Sequence, residues 1–107
     1  MRYLMTEMTA LFDEISALTR TAGPDLDHIE RTLTDGYAHA LNLEAERWRL
    51  EKRIAKVAQG IDRGDTSKKA HELSTLARRL DGNAGELTKL RALLSDLRRR
   101  ADEVRPS

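Results

Sequence analysis

Cysteine is absent, which excludes disulfides, thiolate catalysis, cysteine-ligated zinc and iron–sulfur clusters. Aromatic residues are scarce: Tyr3, Phe12, Tyr37 and Trp48 make up 4% of the chain. Two prolines, Pro24 and Pro106, and six glycines are all that interrupt it. No apolar run approaches the roughly 18 residues that suggest a membrane span. The opening Met1-Arg2-Tyr3-Leu4 lacks the apolar core of a secretory signal. A cytoplasmic protein without membrane association is therefore expected. No segment alternates apolar and polar residues with β-branched enrichment, so no strands are expected.

What is present is charge and periodicity. Of 107 residues, 35% are charged and 39% apolar, against a typical charged share of about 25%. The length suits one domain. Thr21-Ala22-Gly23-Pro24 reads as a helix stop followed by a new start, with glycine at C′ and proline in the first turn. Asp25 and Asp27 then place negative charge where the helix dipole favours it. A second break, 60–67, holds Gly60, Gly64 and several good N-cap residues.

The three remaining segments carry apolar residues at alternating spacings of three and four. The first has Met1, Leu4, Met8, Leu11, Ile15 and Leu18. The second has Leu26, Ile29, Leu33, Gly36, Ala40, Leu43, Arg47, Leu50, Ile54, Val57 and Ile61. The third has Leu73, Leu76, Leu80, Asn83, Leu87, Leu90, Leu94, Leu97, Ala101 and Val104. This is the 3.5-residue period of a coiled-coil seam. Two long seams joined by a short polar loop predict an antiparallel helical hairpin. The expected fold is all-α: a helix over 3–20 packed on a hairpin of helices 25–59 and 66–104, with a loop at 60–65. The whole forms a three-helix bundle narrowing to a two-stranded tip.

Setting facing residue numbers to sum to about 130 pairs Leu50 with Leu80 and Leu33 with Leu97. The same register puts Arg47 and Asn83 in one layer, either as a polar core pair that penalises slipped registers or with Arg47 extending its head to solvent over the seam. Gly82 and Gly85 each cost a helix interior about 1 kcal/mol relative to alanine. The heptad phase nevertheless runs through 81–85 without a skip. A continuous or mildly kinked helix is expected there, with the glycines allowing close backbone approach; the alternative is a break that gives helices 66–80 and 85–104. The same argument applies to Gly36.

Folding the first helix back places Leu11 near Tyr37, Met8 near Leu41, and Met1 or Leu4 near Trp48. Tyr37, Leu41 and Trp48 form a second stripe off the main seam. Trp48 is core if the first helix covers it and a candidate partner interface, with Tyr37 and Leu41, if not.

Net charge is +1 but unevenly spread. Residues 1–46 carry three basic and nine acidic side chains, and residues 47–79 carry ten and four. The candidate basic tip comprises Arg49, Lys52, Arg53, Lys56, Lys68, Lys69, Arg78 and Arg79. Glutamates four residues ahead of a basic partner are largely missing from this half, so intrahelical pairing does not account for it. Such a surface suits an anionic partner.

The chemistry of catalysis has little to stand on. His28, His39 and His71 have too few companions for a three- or four-ligand metal site. No nucleophile elbow and no phosphate-binding glycine loop occur. Neither catalytic residues, a metal nor a cofactor is expected. The expected function is that of a non-enzymatic coiled-coil adaptor or chaperone-like module. It would bind a protein partner and self-associate as a homodimer, with Leu93, Ala70, Ala77 and Ala84 as further apolar contacts. The alternative is a nucleic-acid-associated protein whose basic tip binds phosphate. Arginine outnumbers lysine fourteen to five, a bias compatible with a GC-rich bacterial source.

Overall fold

The three-four spacings become three helices in the computed structural model of the chain. Backbone is described for residues 2–20, 23, 25–61 and 66–105, and side chains for all of these from residue 8 onward. Helix α1 spans Arg2–Arg20, α2 spans Leu26–Gly60 and α3 spans Thr66–Val104. There are no strands among the described residues. The fold is all-α, with the two long helices packed together and the short one packed on them.

Helix ends follow local chemistry. Arg20 Nε donates to the Ser16 carbonyl in the last turn of α1, holding its positive charge at the negative end of the helix. Gly23 has φ +65°, a left-handed conformation that a Cβ would strain. Asp25 then caps α2: its Oδ1 accepts from the Asp27 N–H at 3.1 Å, and its carbonyl accepts from the Ile29 N–H at 3.0 Å. Asp25→Ala is expected to lower stability by about 1 kcal/mol, read as a shift in the thermal midpoint. At the far end of α2, Lys69 Nζ donates to the Gly60 carbonyl, neutralising the negative helix terminus.

Contacts gather into two compact units, 1–40 with 88–107 and 41–87. In the first, three helical segments meet. Leu11, Ile15 and Leu18 of α1 face Ile29, Leu33 and Ala40 of α2 and Leu90, Leu94, Leu97 and Ala101 of α3, all buried. Ile15, Ile29, Leu90 and Leu97 lose essentially all their exposure. Burying such a side chain stabilises by about 1.5–3 kcal/mol, so this layer carries the unit. Lys89 Nζ lies 4.8 Å from the centre of the Phe12 ring and covers its outer face. Gly36 is buried here, and a Cβ on it would sit 3.3 Å from Leu94 Cγ and closer still to Cδ2. Its missing side chain is what lets Leu94 enter the seam.

The second unit is a two-helix hairpin. Leu50, Val57 and Leu76 are buried, with Ile54, Leu73 and Leu80 packed against them. These six are the residues that the 130 register sets opposite one another. Asn83 is buried too, but its predicted partner is not. Arg47 is exposed and donates through Nε to Glu51 at 3.1 Å on its own helix. The polar core pair is therefore corrected to a single buried asparagine. The long arginine side chain reaches water from a seam-edge position. Asn83 Nδ2 instead donates to the Leu43 carbonyl at 3.0 Å, while its Oδ1 has no hydrogen-bond partner among the described residues.

Helix α3 runs unbroken through Gly82 and Gly85. The expected close approach is absent at both: each is exposed, and a Cβ on either would meet nothing within 4 Å. Only Gly36 fits that reading. The helix continues past 81–85 because the flanking seam residues Leu80, Asn83 and Leu87 stay packed, which outweighs the glycine propensity.

Candidate interaction surface

In the hairpin unit the seam consumes one stripe of α2 and leaves its other faces to solvent. Within the hairpin unit, Trp48 is 58% exposed and Leu41 66%. Tyr37, in the three-helix unit, is 43% exposed. Of the two readings of Trp48, the exposed one describes the structure. Met8 is half-buried, and the side chains of Met1 and Leu4 lie outside the described residues. Lys52 Nζ stands 4.1 Å from the centre of the Trp48 ring, one turn along α2, close enough for a cation–π contact.

The predicted basic residues are nearly all exposed, and helical spacing sorts them. Arg49, Lys52, Arg53 and Lys56 line one shallow, open depression on α2 with Ala55 and Gln59. Lys68, Arg78 and Arg79 are exposed on α3. Lys69 is half-buried by its bond to Gly60. Arg63 lies outside the described residues.

Two of these cations, Arg53 and Arg79, are paired all the same, across the hairpin and not at the glutamate-to-cation spacing of four. Arg53 grips Glu72 Oε1 across the hairpin through Nε at 3.2 Å and Nη2 at 2.8 Å. Arg79 Nη2 reaches Glu46 Oε1 at 3.8 Å. Counting glutamates ahead of cations on one helix misses both pairs, because they cross between helices. It also misses Arg47–Glu51, where the cation comes first. The signal was available: Arg53–Glu72 and Arg79–Glu46 both have numbers summing to 125, the same offset from the seam register. These pairs are about half exposed, so each contributes no more than about 1 kcal/mol. Counted over the whole of 41–87, ten basic side chains meet eight acidic ones. The charge contrast thus resides in faces. Arg49, Lys56, Lys68 and Arg78 have no ion pair among the described residues.

The three-helix unit has a face of opposite sign on α2. Asp27, Glu30, Thr34 and Asp35 line an open depression with Arg31. Arg31 turns its Nε back to the Asp27 carbonyl at 3.4 Å, and Glu30 meets Arg105 at 3.4 Å. Sequence reasoning placed an acidic excess in residues 1–46 but did not single out this face.

One further polar cluster joins α1 to α2. Glu14 Oε1 accepts from His28 Nε2 at 2.6 Å and from the Thr32 hydroxyl at 3.4 Å. Thr32 is buried, and this bond is what satisfies its hydroxyl. The cluster ties two helices together. Among the described residues no three histidine, aspartate or glutamate side chains converge as a metal site would need, and no helix is long and apolar enough to cross a membrane.

No family model, curated protein or solved structure matches the chain.

Proposed function

We propose that this protein is a non-enzymatic helical interaction module that binds a protein partner through the exposed α2 face around Trp48. The observation that carries the reading is the tryptophan itself, 58% exposed on a regular helix with Leu41 at 66% nearby. Tryptophan is the residue most enriched at interface hot spots, and a folded domain gains nothing from leaving it in water. An adaptor or chaperone-like role in a bacterial cytoplasm is part of the proposal.

A second reading rests on Arg49, Lys52, Arg53 and Lys56 sharing one depression. Four cations beside an aromatic ring also suit a phosphate backbone with a stacked base.

Affinity capture from extract of the native host, with and without nuclease, tests both. A defined protein retained after nuclease treatment, and reduced at least about 30-fold in affinity by Trp48→Ala at a hot spot worth 2 kcal/mol or more, supports the module. Nucleic acid recovered with a log–log salt slope of about −0.9 per neutralised phosphate, and lost in the Lys52→Glu, Lys56→Glu variant, supports the second reading. Equal capture by parent and both variants defeats both.

A further inference from the structure

The hairpin unit presents Trp48 with Arg49, Lys52, Arg53 and Lys56, all exposed on α2. The three-helix unit presents Asp27, Glu30, Thr34 and Asp35, also exposed on α2. The two faces have opposite charge and the same helical construction. We propose that the basic Trp48 face of one chain docks, antiparallel, on the acidic α2 face of a second copy.

The spacing of charges supports this occupant over an unrelated one. An antiparallel pair of helices places residues opposite one another when their numbers have a constant sum. With a sum of 83 or 84, Lys56 faces Asp27, Arg53 faces Glu30 and Arg49 faces Asp35. All three contacts join opposite charges, while Arg31 on the acidic face meets Lys52 at 83 and Arg53 at 84. In the same register Trp48 falls against Asp35, at a sum of 83, with Thr34 beside it at 82. Shifting one chain by a full turn leaves fewer contacts between opposite charges: a sum of 87 keeps only Lys52 against Asp35 and sets Lys56 against Arg31, and a sum of 79 keeps Lys52 against Asp27 and Arg49 against Glu30.

The partners are also available. Asp27, Asp35, Arg49 and Lys56 have no side-chain ion pair among the described residues. Arg31, the one cation on the acidic face, is already turned back onto its own helix. A nucleic acid would use the cations but would leave the acidic face of α2 unexplained. A second copy uses both faces.

This inference rests on the proposed interaction-module reading and names the partner as a second copy. Its test is a charge swap in the full chain, with mass read by light scattering or sedimentation over a range of protein and salt concentrations. The parent should rise from 12.1 kDa to at least twice that mass, and salt should oppose the rise. The Arg49→Glu, Lys56→Glu variant should associate at least about tenfold more weakly, since like charges then face each other. The Asp27→Lys, Asp35→Lys variant should do the same. Mixed in equal amounts, the two variants should recover the parental mass, because each then meets its complement. Circular dichroism of each variant checks that the helices persist.

A parent that stays at 12.1 kDa overturns the proposal. So do variants that associate like the parent, a mixture that fails to recover, or association that nuclease abolishes. A monomeric parent that still captures a host protein through Trp48 overturns only the second copy as partner. An associating parent with the expected swap behaviour, but no host protein captured, supports the second copy and removes the heterologous partner.

Discussion

Leu97→Ala is expected to lower the unfolding free energy by about 2–5 kcal/mol. Leu97 has no exposed surface and sits in the layer where the segments of α1, α2 and α3 meet in the three-helix unit. Truncation removes the transfer free energy of three carbon atoms and leaves a cavity in a core where Ile15, Ile29 and Leu90 are fully buried as well. Helical backbones on all sides limit collapse into the space. For a domain of this size each kilocalorie moves the thermal midpoint by about 4–8 °C. Even the low end is a large fraction of the total stability, which is about 5–15 kcal/mol for ordinary domains. The internal control is Leu41→Ala, with the same atoms removed from a site 66% exposed. That change should stay within about 0.5 kcal/mol. Thermal and urea unfolding followed by far-UV circular dichroism separates the two. Equal effects at both sites would contradict the burial pattern.

The core was legible because its signal is redundant. Every seam position of α3 from Leu73 to Val104 is buried or half-buried, as are all those of α2 except Arg47. A one-residue error in phase would have exposed most of them, so the period and the register check each other. Arg47 was misplaced for a physical reason. A heptad assigns a position by its Cα, whereas arginine carries its charge several bonds away and can leave the seam from the same backbone site. Asparagine is too short to do so. Asn83 therefore stays in and satisfies its amide on the Leu43 carbonyl.

The interaction surface was legible only in part. Trp48 stood out because tryptophan is rare in this chain, but its exposure depends on where another helix ends, which spacing does not determine. The basic residues were visible as a count. Their division into paired and unpaired cations was not, since Glu72 and Glu46 reach Arg53 and Arg79 across the hairpin. The acidic face escaped notice because Asp27, Glu30 and Asp35 look like ordinary first-turn and surface carboxylates one at a time. They become a face only when the helix places them round one depression.

The glycines provide the second large test, because identical substitutions should have opposite signs. Gly82→Ala and Gly85→Ala put a methyl group into open space on an exposed helix surface. Each should stabilise by about 0.5–1 kcal/mol by restricting the unfolded chain and favouring the helix. Together they should raise the thermal midpoint by roughly 4–16 °C for a domain of this size. Gly36→Ala has the same propensity gain but forces its Cβ onto Leu94 Cδ2. Leu94 is 3% exposed, inside the close-packed seam. Overpacking of this kind costs about 1–3 kcal/mol, so the net effect should be a loss of stability. If the clash is the cause, Leu94→Ala should relieve it. The double variant Gly36→Ala, Leu94→Ala would then be more stable than the sum of the single effects allows, with a coupling above about 0.5 kcal/mol. An additive result would mean that Gly36 does not mark the close approach of α2 and α3. A coupled one would show that this single missing side chain sets how deeply Leu94 enters the seam.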